Sequence, residues 1–210
     1  MEGVTVLGSL AAKYESDGNP AAVAQDPGDA GGWSYGLYQF ASALGIVQDF
    51  TAWLQRQPPP ADDYGRQLAA AGDPTRDPAF VQTWRQIAAD ADTFGQLQDD
   101  YARTLYFDPG ARNLLSWYAF DITSRSNALQ QVLFANCIQH GPRYGSEVFG
   151  DAASLAGQEL TTLEDKELIY NIYQVKLTDP AWSSGSPADR PALFARWENE
   201  RREALALLAG

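Results

Sequence analysis

The chain has 210 residues, 45% of them hydrophobic, 12% aromatic and 20% charged, a composition that supplies a buried core and excludes disorder and collagen-like structure. Fifteen Lys and Arg against 27 Asp and Glu leave a formal charge of -12, a field that repels polyanions, so nucleic acid is not an expected partner. One cysteine, Cys137, excludes an intrachain disulfide, and one histidine, His140, leaves any zinc site dependent on carboxylates, so neither a metal nor another cofactor is expected.

No apolar run approaches the roughly 20 residues of a membrane span. Residues 1–12 carry Glu2 and no basic residue ahead of their apolar stretch, unlike an export signal. Action outside the cytoplasm is therefore expected to need another carrier, or the chain to be a fragment of a longer product. With no shift in composition along it, one domain over residues 1–210 is expected.

Val6, Leu7, Leu10, Ala11 and Tyr14 recur at spacings of three and four, which predicts a short helix ending near Glu15. Residues 19–34 are dense in Gly, Pro and Asp and read as loop and small hairpin. Residues 33–40 read as a strand entering a second helix that carries Ile46, Phe50, Trp53 and Leu54 and stops at Pro58-Pro59-Pro60. A polar stretch follows through Asp77. Helical periodicity then dominates: Phe80, Trp84, Ile87 and Ala88; Phe94, Leu97, Tyr101 and Leu105; residues 114–122, 127–139, 163–175 and 191–208. Asp77-Pro78 and Asp108-Pro109 read as N-caps followed by proline at the first helical position. Residues 179–190 read as a surface loop.

Chemistry concentrates between Tyr14 and Gln39. Glu15 falls at the C-terminal end of an apolar helix, where desolvation and the negative end of the helix dipole both favour its protonated form. Asp29, in a glycine-rich turn, is expected to be solvated and near backbone N–H donors, which favours its ionised form. Two carboxyl groups driven apart in this way suit glycosidic cleavage, one as general acid and one as base. Ser34 places a hydroxyl where it can hold water against Asp29, which points to inversion. Asp26 is a rival for the base. The same residues also fit a plain hairpin turn beside a solvated helix end. Cys137 and His140, three apart, share a helix face, and a Cys-His dyad, a buried helix end and a substrate contact all fit that spacing.

Glu15-Ser16 followed by Gly36-Leu37-Tyr38-Gln39 resembles the lysozyme superfamily, in which a catalytic Glu ends a helix and a Gly-Leu-Met-Gln type segment follows the β region. Residues 28–36 are similar to the Asp-x-x-Gly-x-Thr-x-Gly segment of chitosanases, with Ser34 in place of the Thr. Tyr14-Glu15-Ser16 with Ser34-Tyr35-Gly36 and Tyr38-Gln39 also resembles chitosanase-like muramidase domains of phage lytic proteins and of type VI secretion spike proteins. The likeness covers residues 13–40, with a weaker one at Gln139-His140-Gly141-Pro142.

The resemblance implies an α+β, predominantly helical, lysozyme-like fold with a small β-hairpin lobe. It also implies Glu15 as acid, Asp29 as base, Ser34 as the water-holding hydroxyl, and Trp33, Tyr38, Gln39, Gln139 and His140 along the cleft. The implied substrate is the β-1,4 bond of peptidoglycan glycan strands, with chitosan as an alternative that the acidic balance favours, and a non-catalytic wall-binding domain as another. It further implies delivery by phage or by a secretion system to the periplasm or wall, and a possible immunity protein as inhibitor.

Overall fold

Spacings of three and four between apolar residues become helix along most of the chain, and the computed structural model describes residues 6–25, 32–183 and 190–209. The chain divides into two compact units, Ala12–Ala102 and Met1–Ala11 with Arg103–Gly210. Helix α1 (Ser9–Ser16) runs through the boundary.

The first unit carries a three-stranded antiparallel sheet, β1 (Val23–Gln25), β2 (Trp33–Tyr35) and β3 (Phe40–Ala41), in sequence order. The expected hairpin thus gains a third strand, because residues 36–39 turn the chain back onto β2. Register pairs Val23 with Tyr35, Ala24 with Ser34 and Gln25 with Trp33, and Ser34 with Ala41. Strand alternation then puts Val23, Gln25, Trp33 and Tyr35 on one face and Ala24, Ser34 and Ala41 on the other.

Four helices complete this unit: α2 (Ile46–Leu54), α3 (Ala61–Ala70), α4 (Pro78–Ile87) and α5 (Ala91–Ala102). Helix α3 lies within the polar stretch that follows the proline run. Its polar sequence hides a narrow apolar stripe of Ala61, Gly65 and Leu68, buried at helical spacing. Asp77 precedes α4 as expected, but its carboxylate accepts from the Asp73 N–H (2.6 Å) instead of capping the helix. Phe40, Phe50, Trp84, Phe94 and Tyr101 are buried and meet ring to ring, with centroids 4.9 to 5.9 Å apart around Phe50 and Trp84.

The second unit is helical: α6 (Asp108–Tyr118), α7 (Asn127–Ala156), α8 (Asp165–Thr178) and α9 (Arg190–Leu207). A π-helical turn, Arg103–Phe107, leads straight into α6, so Asp108 lies inside helix and does not cap it. Helix α7 extends well past residue 139 because Gly141 (φ 79°, ψ 159°) kinks it and Pro142 starts the next helical run. Of the loop expected at 179–190, residues 184–189 lie outside the described residues. No helix among the described residues is long and apolar enough to cross a membrane.

Phe50 is fully buried at the centre of the aromatic cluster. Phe50→Ala is expected to destabilise the protein by about 3–5 kcal/mol, read as a lower denaturation midpoint at unchanged denaturant slope.

Candidate active site

Glu15 is the penultimate residue of α1 and is half-buried. The hydroxyl of Ser16 donates to the Leu37 carbonyl (3.0 Å) and lies 3.2 Å from the Ala12 carbonyl, fastening the end of the helix to the turn between β2 and β3. That turn is held from its other side by α5. Gln98, fully buried, accepts the Leu37 N–H at its Oε1 (2.7 Å) and donates from its Nε2 to the Pro20 carbonyl (3.1 Å). The Trp84 indole N–H donates to the same carbonyl (2.9 Å).

Gly36 has no substitute here: its φ is 73°, and a Cβ would stand 2.1 Å from Gln98 Oε1. Three residues on, Gln39 adopts the left-handed region (φ 49°) with a side chain, and its amide donates back to the Gly36 carbonyl (3.0 Å). A non-glycine residue held in that region marks a turn fixed by its surroundings.

Ser34 lies on the sheet face opposite Trp33, half-buried, with no hydrogen bond from its hydroxyl among the described residues. Trp33 points to the face covered by α4, the same face on which Tyr35 meets Phe80 (5.5 Å) and Trp84 (5.1 Å). It therefore does not share a face with Ser34, because strand neighbours alternate. Tyr38 also differs from the expected stacking ring: it is 2% exposed, and its hydroxyl donates to Asp99 (2.6 Å). Asp29 and its rival Asp26 lie outside the described residues.

Asp99, the hydrogen-bond partner of Tyr38, is half-buried in a way the sequence did not reveal. Burial pushes its carboxyl up to about 6, opposed by the hydrogen bond from Tyr38. Burial and the neighbouring Asp99 in turn push the Tyr38 phenol far above its ordinary value. Nothing in the pattern of α5 separates Asp99 from the solvated Asp100 beside it.

In the helical unit, Gln139 and His140 stand just before the kink of α7. The Gln139 carbonyl accepts from Lys176 Nζ (2.9 Å) and from Trp197 Nε1 (2.9 Å), while Lys176 also donates to Asn136 Oδ1 (2.8 Å). Lys176 is 1% exposed and burial lowers its pKa to about 7, against the pull of Glu200. His140 packs edge-on against Trp182 (5.4 Å), and its Nε2 is buried with no hydrogen-bond partner among the described residues. Burial, helped by Lys176 and Arg196, lowers its pKa to about 3, so the ring is neutral.

Gln139 and His140 border a cavity of about 640 Å³ with Tyr144, Glu147, Asp151 and Trp182. Cys137 forms no dyad with His140. Its thiol is fully buried and pushed up by burial, and a Cβ at Gly110 would stand 2.6 Å from its sulfur while one at Gly145 would stand 2.6 Å from its backbone nitrogen. Among the described residues no group of three or more His, Cys, Asp or Glu side chains is placed to hold a metal ion.

The charge on Asp99 sets a pH dependence. An unfolded Asp titrates near 3.9 by its ordinary value, about two units below the folded one, so the folded chain holds this proton more tightly. Its contribution is fully present below about pH 4 and is lost as pH rises through about 6. Asp99→Asn keeps an acceptor for Tyr38 without the charge and is expected to raise stability at pH 7 by about 1–2 kcal/mol, with no gain at pH 4, in paired denaturant melts. His140 has the opposite sign: its depressed value contributes stability above about pH 6.5 that falls away toward pH 3. The imidazole signals in an NMR titration are expected to stay unchanged from pH 8 to pH 5; a midpoint near 6.5 would contradict the neutral ring.

Comparison with known proteins gives the geometry a context. The family model described as "Type VI secretion system spike protein VgrG3-like, C-terminal" matches residues 7–201. The type VI secretion system spike protein VgrG3 of Vibrio cholerae serotype O1 is 26% identical over 188 residues, which are 85% of this chain but 17% of that protein. This chain thus spans about a sixth of the curated relative that it matches.

Three solved chitosanases share the fold. Chitosanase OU01, solved with substrate, has TM-score 0.55 at 21% identity, over 86% of this chain and 81% of its own. The Gynuella sunshinyii GH46 chitosanase GsCsn46A, solved with chitotetraose, has TM-score 0.56 at 17% identity, over 99% and 87%. The native chitosanase of Bacillus subtilis MY002 has TM-score 0.54 at 20% identity, over 96% and 84%. The predominantly helical, lysozyme-like fold expected from the sequence is the fold observed.

Proposed function

The chain belongs to the family of VgrG3-like C-terminal domains of type VI secretion spike proteins, and we propose that it is a glycoside hydrolase that cuts the β-1,4 bonds of peptidoglycan glycan strands with inversion. Residues 1–210 act in this reading as a single hydrolase domain. The observation that carries it is the fastening of Ser16 to the Leu37 carbonyl, which holds the Glu15 end of α1 against the turn that follows the strand of Ser34. A chitosanase-like fold supports it.

Glu15 gives its proton to the glycosidic oxygen as the leaving group departs. Water, held by the Ser34 hydroxyl, attacks the anomeric carbon from the opposite side and loses its proton to Asp29, leaving Glu15 ionised and Asp29 protonated until they exchange protons with solvent. Inverting enzymes hold the two carboxyl groups roughly 6.5–9.5 Å apart to admit that water. In the helical unit, the neutral His140 and the amide of Gln139 are groups able to hydrogen-bond uncharged sugar, and Trp33 stands on the sheet face opposite Ser34. Spike membership supports delivery by a secretion apparatus, and the wall of the recipient cell is the place of action. A producer with the same wall chemistry then needs an inhibitory immunity protein.

Chitosan is the second reading. The formal charge of -12 favours a polyamine, and the solved neighbours are chitosanases.

Glu15→Gln and Asp29→Asn are each expected to lower turnover of purified peptidoglycan by about 10²–10⁴-fold, and Ser34→Ala by about tenfold, with Asp26→Asn near wild type. Mass spectrometry of the released muropeptides is expected to show muramic acid at the reducing end, and NMR of the first product its inverted anomer. Equal clearance by wild type and Glu15→Gln would remove the catalytic assignment, and an absence of turnover by wild type on either polymer would leave a wall-binding domain. Turnover of chitosan with none of peptidoglycan would decide for the second reading.

A further inference from the structure

The face of the sheet that turns away from Ser34 holds a cavity of about 620 Å³, within the range of small-ligand sites, bounded by β1, β2 and α4. Its apolar wall is the half-buried Trp33 ring with Val23, Pro78 and Val81, and its polar rim is Gln25, Gln82, Arg85 and Gln86. Register explains the convergence. Gln25 pairs with Trp33 across the ladder, so the two side chains leave the sheet side by side. Val81, Gln82, Arg85 and Gln86 follow one another at helical spacing along the α4 flank that meets this face.

The Trp33 backbone is clamped. Its N–H donates to Ser42 Oγ (2.8 Å), and the Ser42 hydroxyl donates to its carbonyl (2.7 Å); Ser42 is 1% exposed. The direction in which the side chain leaves the strand is therefore set by the fold.

Arg66 and Arg76 of the same unit are each drawn into ion pairs with aspartates, whereas Arg85, like Arg56, enters no ion pair among the described residues, and Arg85 is the cation on the rim of this cavity. The rim glutamines are likewise without side-chain hydrogen bonds among the described residues. An aromatic wall, several amides and one unpaired guanidinium form a set suited to a pyranose ring bearing a carboxylate. The apolar ring face lies on the indole, hydroxyl and acetamido groups meet the amides, and the carboxylate meets the planar fork of the guanidinium. A polyanion is disfavoured by the net charge, but a single carboxylate on an otherwise neutral sugar is not.

We propose that this cavity is a second glycan-binding site, separate from the Glu15 and Ser34 side of the sheet, that recognises a carboxylate-bearing sugar unit through Trp33 and Arg85. A muramic acid of a wall glycan and a uronic acid of a capsular or extracellular glycan share that chemistry. The site binds whether or not the chain hydrolyses anything, so its test measures binding alone.

The test is NMR titration of the full-length protein with three disaccharides: N-acetylglucosaminyl-N-acetylmuramic acid, digalacturonic acid and uncharged N,N'-diacetylchitobiose. With at least one of the acidic probes, the Trp33 indole N–H, the rim amides and the Arg85 Nε–H are expected to shift together, and the stronger acidic probe identifies the source. Because Arg85 is exposed, Arg85→Gln is expected to fold as wild type and to weaken acidic binding by about tenfold or more, with Arg85→Lys intermediate because charge remains without the fork. The proposal is overturned if neither acidic probe moves these signals, if chitobiose binds as tightly as both acidic probes, or if Arg85→Gln binds like wild type. Such a failure leaves the hydrolase reading untouched, since that is measured on Glu15 and Asp29.

Discussion

One buried side-chain amide fixes the turn between β2 and β3. Gln98 offers a carbonyl to the Leu37 N–H and an amino group to the Pro20 carbonyl, a two-sided demand that among side chains of this length only an amide meets. The Leu37 carbonyl is taken from the other direction by Ser16. Both polar groups of one residue are thereby used, one by α5 and one by the helix that carries Glu15. Removing either partner strands a buried backbone group, at a cost of about 1–3 kcal/mol, and also frees the turn to drift. Gly36 follows from the same constraint: the space a side chain would occupy is filled by the Gln98 carbonyl.

A strand of three residues then separates side chains that are adjacent in sequence. Trp33, Ser34 and Tyr35 are consecutive, yet the period of two sends Ser34 one way and the two aromatics the other. Tyr35 is consumed by the core, its ring against Phe80 and Trp84 and its hydroxyl on the Pro74 carbonyl (2.8 Å). Trp33, two pairs nearer the end of the ladder, stays half-exposed on that side. The sheet thus presents a small hydroxyl on one face and an aromatic surface on the other, and a ligand on one side does not reach the other.

Much of this was legible in the sequence. The apolar spacing of Phe80, Trp84 and Ile87 located α4, and the run of Ile46, Phe50, Trp53 and Leu54 located α2. Helix α3 was hidden because its buried stripe consists of Ala, Gly and Leu among Asp, Arg and Gln, too little apolar mass for periodicity to register. The helix expected over 127–139 runs on past Gly141-Pro142, where Gly145 packs onto Cys137 beyond the kink. Glu15 and Ser34 could be singled out because turn and helix-end chemistry is local. Asp99 could not, because its raised carboxyl depends on Tyr38, 61 positions away, and no local pattern encodes that meeting.

The helical unit shows a different economy of polar groups. Lys176 is buried among Asn136, Gln139 and Trp197, with its ammonium 4.7 Å from the indole ring centroid. An apolar residue there would avoid the desolvation of a charge, and such replacements are often neutral or stabilising, so stability alone does not account for the lysine. What it does is hold the Gln139 carbonyl from one side while Trp197 holds it from another, which fixes the amide at the rim of the cavity. Burial keeps the adjoining His140 neutral, and the charges of Lys176 and Arg196 act in the same direction. The Gln139 amide and the neutral His140 ring therefore stand at a cavity rim that also carries the carboxylates of Glu147 and Asp151.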